Sequence, residues 1–154
     1  MQYLTLIGWI VLCECVGVIG AIATNKSVNT WYRTLRKPSF NPPAGVFGPV
    51  WTALYLLMAI SAWLVSMESM STLPTVVFII QLGLNLLWSY AFFKYRNPKA
   101  GLATLLTLDV AIVATMGVFF TISPMAGWLM VPYLAWCLFA TVLNEEIVRL
   151  NYHR

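Results

Sequence analysis

Trp31-Tyr32-Arg33-Thr34-Leu35-Arg36-Lys37-Pro38-Ser39-Phe40-Asn41-Pro42-Pro43 runs on into Phe47-Gly48-Pro49-Val50-Trp51-Thr52-Ala53-Leu54-Tyr55. This stretch decides how the rest of the chain is read. Its first part is cationic and aromatic. Pro38, Pro42 and Pro43 fix φ and remove backbone donors, so no long helix can form there. A loop stiffened in this way loses little entropy when it closes over something. The second part is apolar, and Phe47, Trp51, Tyr55 and Met58 recur at helical spacing along one stripe. The stretch reads as a lid over a pocket whose floor begins at Trp51.

Composition supplies the solvent. The chain is 60% hydrophobic and 9% charged, whereas a soluble domain carries about 25% charged residues. Such a chain cannot cover a water-facing surface, so it belongs in a bilayer. Segments near 4–24, 46–66, 74–94, 100–121 and 126–149 are each long enough to cross it. The expected fold is an all-α integral membrane bundle of five transmembrane helices. It forms a single domain over residues 1–154, with the long first connection, near 25–45, capping an internal pocket.

The net charge of +4 is mild, and its basic residues fall in connections. Lys26, Arg33, Arg36 and Lys37 lie in the first connection, and Lys94, Arg96 and Lys99 between the third and fourth spans. With five spans these connections share a side with the C-terminus. The basic bias makes that side cytoplasmic and leaves the N-terminus outside. Topology accounts for this charge without nucleic acid. A helical bundle favours the cytoplasmic membrane of a bacterium, since barrels dominate the outer one. Met1-Gln2-Tyr3 leads directly into a span, so no cleavable signal peptide is expected.

Within the spans, polar and small residues mark candidate contacts. Cys13, Gly17 and Ala21 form a small stripe on the first span, suited to close approach of another helix. Glu14 and Asp109 are acids in apolar surroundings and need a partner or a wet cavity, in a functional or a structural role. The third span puts Gln81, Asn85 and Trp88 on one face, and the fifth puts Trp136, Ala140 and Leu143 on another, with a kink expected at Pro132. Ala103, Thr107, Ala111 and Thr115 form a seam on the fourth span, inside the bundle or between subunits. Cys13 and Cys15 point to nearly opposite sides of a helix, and the sole histidine is His153 in the tail. No metal site and no cofactor are expected, and no acid/base pair or activated nucleophile marks conventional catalysis. Aromatic stripes of this kind serve either as packing or as walls for a flat apolar ligand.

The pattern Leu35-x-Lys37-Pro38-x-Phe40-x-Pro42-Pro43, followed by Phe47-Gly48-Pro49-Val50-Trp51-x-x-Leu54-Tyr55, resembles the translocator protein / tryptophan-rich sensory protein (TspO/MBR) family. Leu84-Asn85-Leu86-Leu87-Trp88 with Phe92-Phe93, and Pro132-Tyr133-Leu134-Ala135-Trp136 through Asn144, extend the resemblance over nearly the whole chain. The resemblance implies a five-helix pocket, covered by the first loop, that binds porphyrins such as protoporphyrin IX. It also implies binding of sterols and of isoquinoline- or benzodiazepine-type drugs, and a homodimer. Carried over by position, the pocket residues are Trp51, Asn85, Trp136, Ala140 and Leu143. Phe47, Tyr55, Gln81 and Trp88 are wall residues, and Tyr32 and Pro42 come from the loop. Arg33, Arg36 and Lys37 serve topology or meet a ligand's carboxylates. One departure concerns sterols. Glu145-Glu146 follows Leu143-Asn144 where animal members carry aromatics, and only the tail Leu150-Asn151-Tyr152-His153-Arg154 fits the loose cholesterol pattern. The resemblance points to a bacterial member with a tetrapyrrole ligand. Three functions fit: a tetrapyrrole receptor or sensor, a porphyrin transporter, or a light- and oxygen-dependent porphyrin degrader using Trp51 and Trp136. No internal duplication speaks for alternating access.

Overall fold

Prolines and one asparagine set where the long helices begin. The structure is a computed structural model and describes residues 1–152. Helix α1 spans Gln2–Val28, a one-turn α2 spans Trp31–Thr34, and α3 spans Ala44–Glu68 with Pro43 as its N-cap. α4 spans Leu73–Ser89 with Pro74 in its first turn, and α5 spans Pro98–Ile122. The Asn97 side chain caps α5 by accepting from the Ala100 amide at 3.0 Å. α6 spans Pro124–Leu129 and α7 spans Val131–Tyr152. A proline in a first turn costs nothing, because its missing N–H would have had no partner there. Five of these units are long and apolar enough to cross a membrane, with α6 and α7 together forming the fifth. The chain is therefore an all-α integral membrane bundle.

Two local features differ from the sequence reading. The fifth span is broken before Pro132. Pro132 cannot donate toward Trp128, so α6 stops at Leu129, Met130 turns, and α7 starts afresh. The third span ends in a π-helical turn over Tyr90–Lys94, closed by the Tyr95 amide donating to the Tyr90 carbonyl at 2.8 Å. Arg96, with φ of 54°, then reverses the chain into α5. The wider turn sets Phe92 and Phe93 side by side, ring centroids 4.7 Å apart.

α1 is peripheral. Its buried residues, Cys13, Gly20 and Ser27, recur every seven positions and form one narrow seam. The core lies among α3, α4, α5 and α7, where Met58, Phe78, Leu108, Ile112 and Tyr133 are fully covered. Of the seam on α5, Thr115 is buried and donates to the Val77 carbonyl of α4, while Ala103 and Thr107 are exposed. Asp109 is bonded from α7, where Thr141 donates to its Oδ2 at 2.7 Å, while its buried Oδ1 has no hydrogen-bond partner among the described residues.

The first connection, the turn between α4 and α5, and the C-terminal end of α7 meet at one end of the bundle. Asn151 accepts from the Arg36 amide and donates to the Arg36 carbonyl, each at 2.9 Å. Lys99 stands 5.9 Å from the Tyr152 ring. His153 and Arg154, which complete the loose cholesterol pattern, lie outside the described residues.

Candidate functional site

A cavity of about 530 Å³ opens beside this end of the bundle. It falls within the range of small-molecule sites, about 300–1,000 Å³. Nine of the eleven candidate site residues line it: Tyr32, Phe47, Trp51, Tyr55, Asn85, Trp88, Trp136, Ala140 and Leu143. They come from α2, α3, α4 and α7, so side chains far apart in sequence converge on one space.

The other two stand elsewhere. Pro42 is half-buried and outside the lining, its carbonyl accepting from Asn41 Nδ2 at 3.2 Å. It turns the chain into α3, and the lining resumes at Ala44. Gln81 lies one helical turn from Asn85, beneath the floor, and is fully buried. There it joins a relay that periodicity did not disclose. Tyr55 donates to Asn85 Oδ1 at 2.7 Å, Asn85 Nδ2 donates to the Tyr133 hydroxyl at 2.9 Å, and Tyr133 donates to Gln81 Oε1 at 2.8 Å. Gln81 Nε2 reaches Met58 Sδ at 3.8 Å. The Gln81 and Asn85 amides thereby find partners in the apolar interior, as hydrocarbon demands.

Aromatic rings build the walls. Trp51 lies with its centroid 5.7 Å from Tyr55 and 5.9 Å from Trp88. Trp136 packs against Phe47 at 6.0 Å and Phe139 at 5.5 Å. Phe92 and Phe93, displayed by the π turn, complete the loop end. Sequence reasoning quoted this pair only as part of a resemblance, since an α-helix would splay adjacent side chains by about 100°.

The loop closes one end through a single side chain. Tyr32 is buried, its ring stands against Phe92 and Phe93, and its hydroxyl donates to Asn41 Oδ1 at 2.8 Å. Burial pushes the phenol up to about 12, and the Asn41 bond opposes that shift in part. Tyr32 is therefore a neutral donor at physiological pH. Lys37 Nζ sits 4.8 Å above the Tyr32 ring and donates to the Leu35 carbonyl at 3.1 Å. Phe40 ties the loop to α7 through Phe139 at 6.2 Å. Arg33 and Arg36 are exposed, and none of the three loop cations lines the cavity.

α1 contributes the remaining wall. Gly17 touches the Tyr55 ring so closely that a Cβ there would stand 2.8 Å from it. Val18, Ala21 and Ile22 line the cavity and are also exposed on the outer surface. The small stripe on α1 thus divides: Cys13 and Gly17 face the bundle, and Ala21 stands at the cavity mouth. Glu14 lines the cavity as well and is, among the described residues, the only charged one in its lining. Two buried polar atoms of the lining, Trp88 Nε1 and Asn144 Oδ1, have no hydrogen-bond partner among the described residues. No group of three His, Cys, Asp or Glu side chains gathers as a metal site among the described residues. The arrangement is an aromatic slot with a few polar points, suited to binding a flat molecule.

Comparison with known proteins gives a consistent picture. The model of the TspO/MBR family matches residues 9–150. The chain is 42% identical to "Tryptophan-rich protein TspO" of Archaeoglobus fulgidus, over 98% of this chain and 99% of that protein. It is 37% identical to "Tryptophan-rich sensory protein" of Cereibacter sphaeroides, over 95% and 94% of the two. It is 39% identical to the human "Translocator protein", over 79% of this chain and 75% of that one.

Proposed function

Because the chain belongs to the TspO/MBR family, we propose that it is a membrane receptor or sensor that holds a flat tetrapyrrole such as protoporphyrin IX in the Trp51–Trp136 cavity. The observation carrying this reading is the convergence of Trp51, Trp88 and Trp136 on one space of about 530 Å³. Indole walls suit a broad π-face, and Trp88 Nε1 offers an unused donor to a polar edge. The same slot would take isoquinoline- or benzodiazepine-type drugs. In this reading the loop end faces the cytoplasm of a bacterial cell and the N-terminus lies outside. A homodimer would use the outer face of α5 carrying Ala103 and Thr107. Sterol is the weaker ligand, given Glu145-Glu146.

The test is titration of purified protein with protoporphyrin IX, followed by tryptophan fluorescence and absorbance, in the dark and under illumination. Saturable quenching in the dark, lost in Trp51→Ala/Trp136→Ala, is expected. Unchanged spectra in both conditions discard the proposal. A second reading is light- and oxygen-dependent porphyrin degradation, favoured by the Trp51–Tyr55–Trp88 ring cluster beside the slot. It requires a new absorbance in the illuminated arm alone, abolished by Trp51→Phe. Porphyrin transport would instead show as movement across sealed vesicles.

A further inference from the structure

Resting on the tetrapyrrole reading, we infer that the ligand enters and leaves the cavity sideways, from the hydrocarbon of the loop-side leaflet, through a slot between α1 and α3. The protein then serves ligands dissolved in the membrane and not those confined to water. Val18, Ala21 and Ile22 of α1, with Gly48 and Thr52 of α3, line the cavity and are also exposed on the outer surface. Ile22 lies six residues before Val28, where α1 ends, and Thr52 eight residues after Ala44, where α3 begins. At 1.5 Å per residue those depths are about 9 and 12 Å. The 27 residues of α1 run about 40 Å and overshoot a hydrocarbon core of about 30 Å by roughly 5 Å at each end. The opening therefore lies below the headgroups, against lipid tails.

The slot suits a flat apolar passenger. The five residues bordering it are uncharged, and Ala21, Gly48 and Thr52 are small, so a planar ring passes edge-on. The lining continues up to Asn25 and Ala44, both exposed, so a ring in transit keeps its polar edge toward the headgroups. The loop end, by contrast, is shut. Tyr32 is buried, bonded to Asn41 and set against Phe92 and Phe93. The loop is fastened to α7 by the two Asn151 bonds to Arg36 and by Phe40 against Phe139. Entry from water must break these contacts, while entry from lipid leaves them in place.

The experiment follows protoporphyrin IX by stopped-flow tryptophan quenching in the dark, with the protein in phosphatidylcholine nanodiscs. Only the quenching that Trp51→Ala/Trp136→Ala abolishes is taken as binding. Gly48→Leu and Gly45→Leu form a matched pair, because a Cβ at either position meets open space and strains nothing. Gly48 borders the slot, whereas Gly45 is exposed and outside the lining. A narrowed route slows both rates, while a lost wall contact speeds dissociation alone. Gly48→Leu should therefore slow association and dissociation together, severalfold, and Gly45→Leu should keep the wild-type rates. Asn151→Ala loosens the loop from outside the lining and should also associate at the wild-type rate. Association as fast in Gly48→Leu as in Gly45→Leu, or faster in Asn151→Ala than in wild type, overturns the inference and leaves the tetrapyrrole reading standing. If wild type shows no saturable quenching, both fall together.

Discussion

Tyr133→Phe removes one oxygen atom and keeps the ring that packs against Trp51 at 6.4 Å. That oxygen donates to Gln81 Oε1 and accepts from Asn85 Nδ2. The substitution therefore strands one acceptor and one donor in a site with no exposed surface. In a water-soluble core each orphan costs about 1–3 kcal/mol. Between membrane helices the measured average is nearer 0.6 kcal/mol per bond, with a maximum of about 1.7. Two bonds on the membrane scale give roughly 1–3 kcal/mol. The assay is SDS-titrated unfolding in mixed micelles, run as a double-mutant cycle with Asn85→Ala. We expect destabilisation in that range and a coupling energy above about 0.5 kcal/mol, as for residues in one network. Porphyrin affinity should fall less in Tyr133→Phe than in Asn85→Ala, because Asn85 lines the cavity and Tyr133 does not. A Tyr133→Phe protein as stable as wild type, with zero coupling, would refute the relay as a structural element of the floor.

Other outcomes follow from close approaches and from the loop. Gly127→Ala drives a Cβ into the Phe120 ring and should cost about 1–3 kcal/mol of stability by overpacking. Gly83→Ala meets open space and should gain up to about 1 kcal/mol from helix propensity; the same SDS titration checks both. Gly17→Val should push Tyr55 off its bond to Asn85 and weaken porphyrin quenching by more than it lowers stability. Asn151→Ala removes both bonds to the Arg36 backbone and should speed tryptic cleavage in the Arg33–Lys37 segment. The Tyr32 phenol is raised in the folded state. Its contribution to stability is therefore complete below the unfolded value near 10 and is lost as pH climbs through about 12. Unfolding midpoints of wild type and Tyr32→Phe should accordingly differ by a constant amount between pH 6 and 9.

The bundle was legible because its signals are long. Five apolar runs and the proline-rich connection need only length, composition and the fixed φ of proline. The aromatic stripe from Phe47 through Tyr55 was legible because helical spacing aligns it. The break at Met130 was not placed, because Pro132 signals a disturbance without saying which side of it gives way. The π turn over Tyr90–Lys94 left no periodic trace, since a single wide turn shifts the register only locally. Glu14 could be flagged as costly in a bilayer, but its neighbour is a void, and a void belongs to no residue's spacing. Tyr133 was hidden for a related reason. Its role depends on Gln81 and Asn85, 52 and 48 positions away, and only the folded bundle brings them together.

The position of the cavity follows from a change of partner along α1. Near its start α1 lies against α3: Trp9 Nε1 donates to Ser66 Oγ at 3.3 Å, and Trp63 Nε1 donates to the Gln2 carbonyl at 3.2 Å. At Gly17 the absence of a side chain lets α1 rest on the Tyr55 ring. One turn later Gly20 faces Ser89 and Leu86 of α4 instead, with a Cβ position 3.2 Å from Ser89 Oγ. Beyond that point α1 leans on α4, and α3 is left to diverge. The gap between them is the mouth lined by Ala21, Ile22, Gly48 and Thr52. Two small residues three positions apart therefore both seal the lower bundle and open the upper one. Tyr55 connects these two effects, because the same ring that bears on Gly17 directs its hydroxyl to Asn85 at the cavity floor.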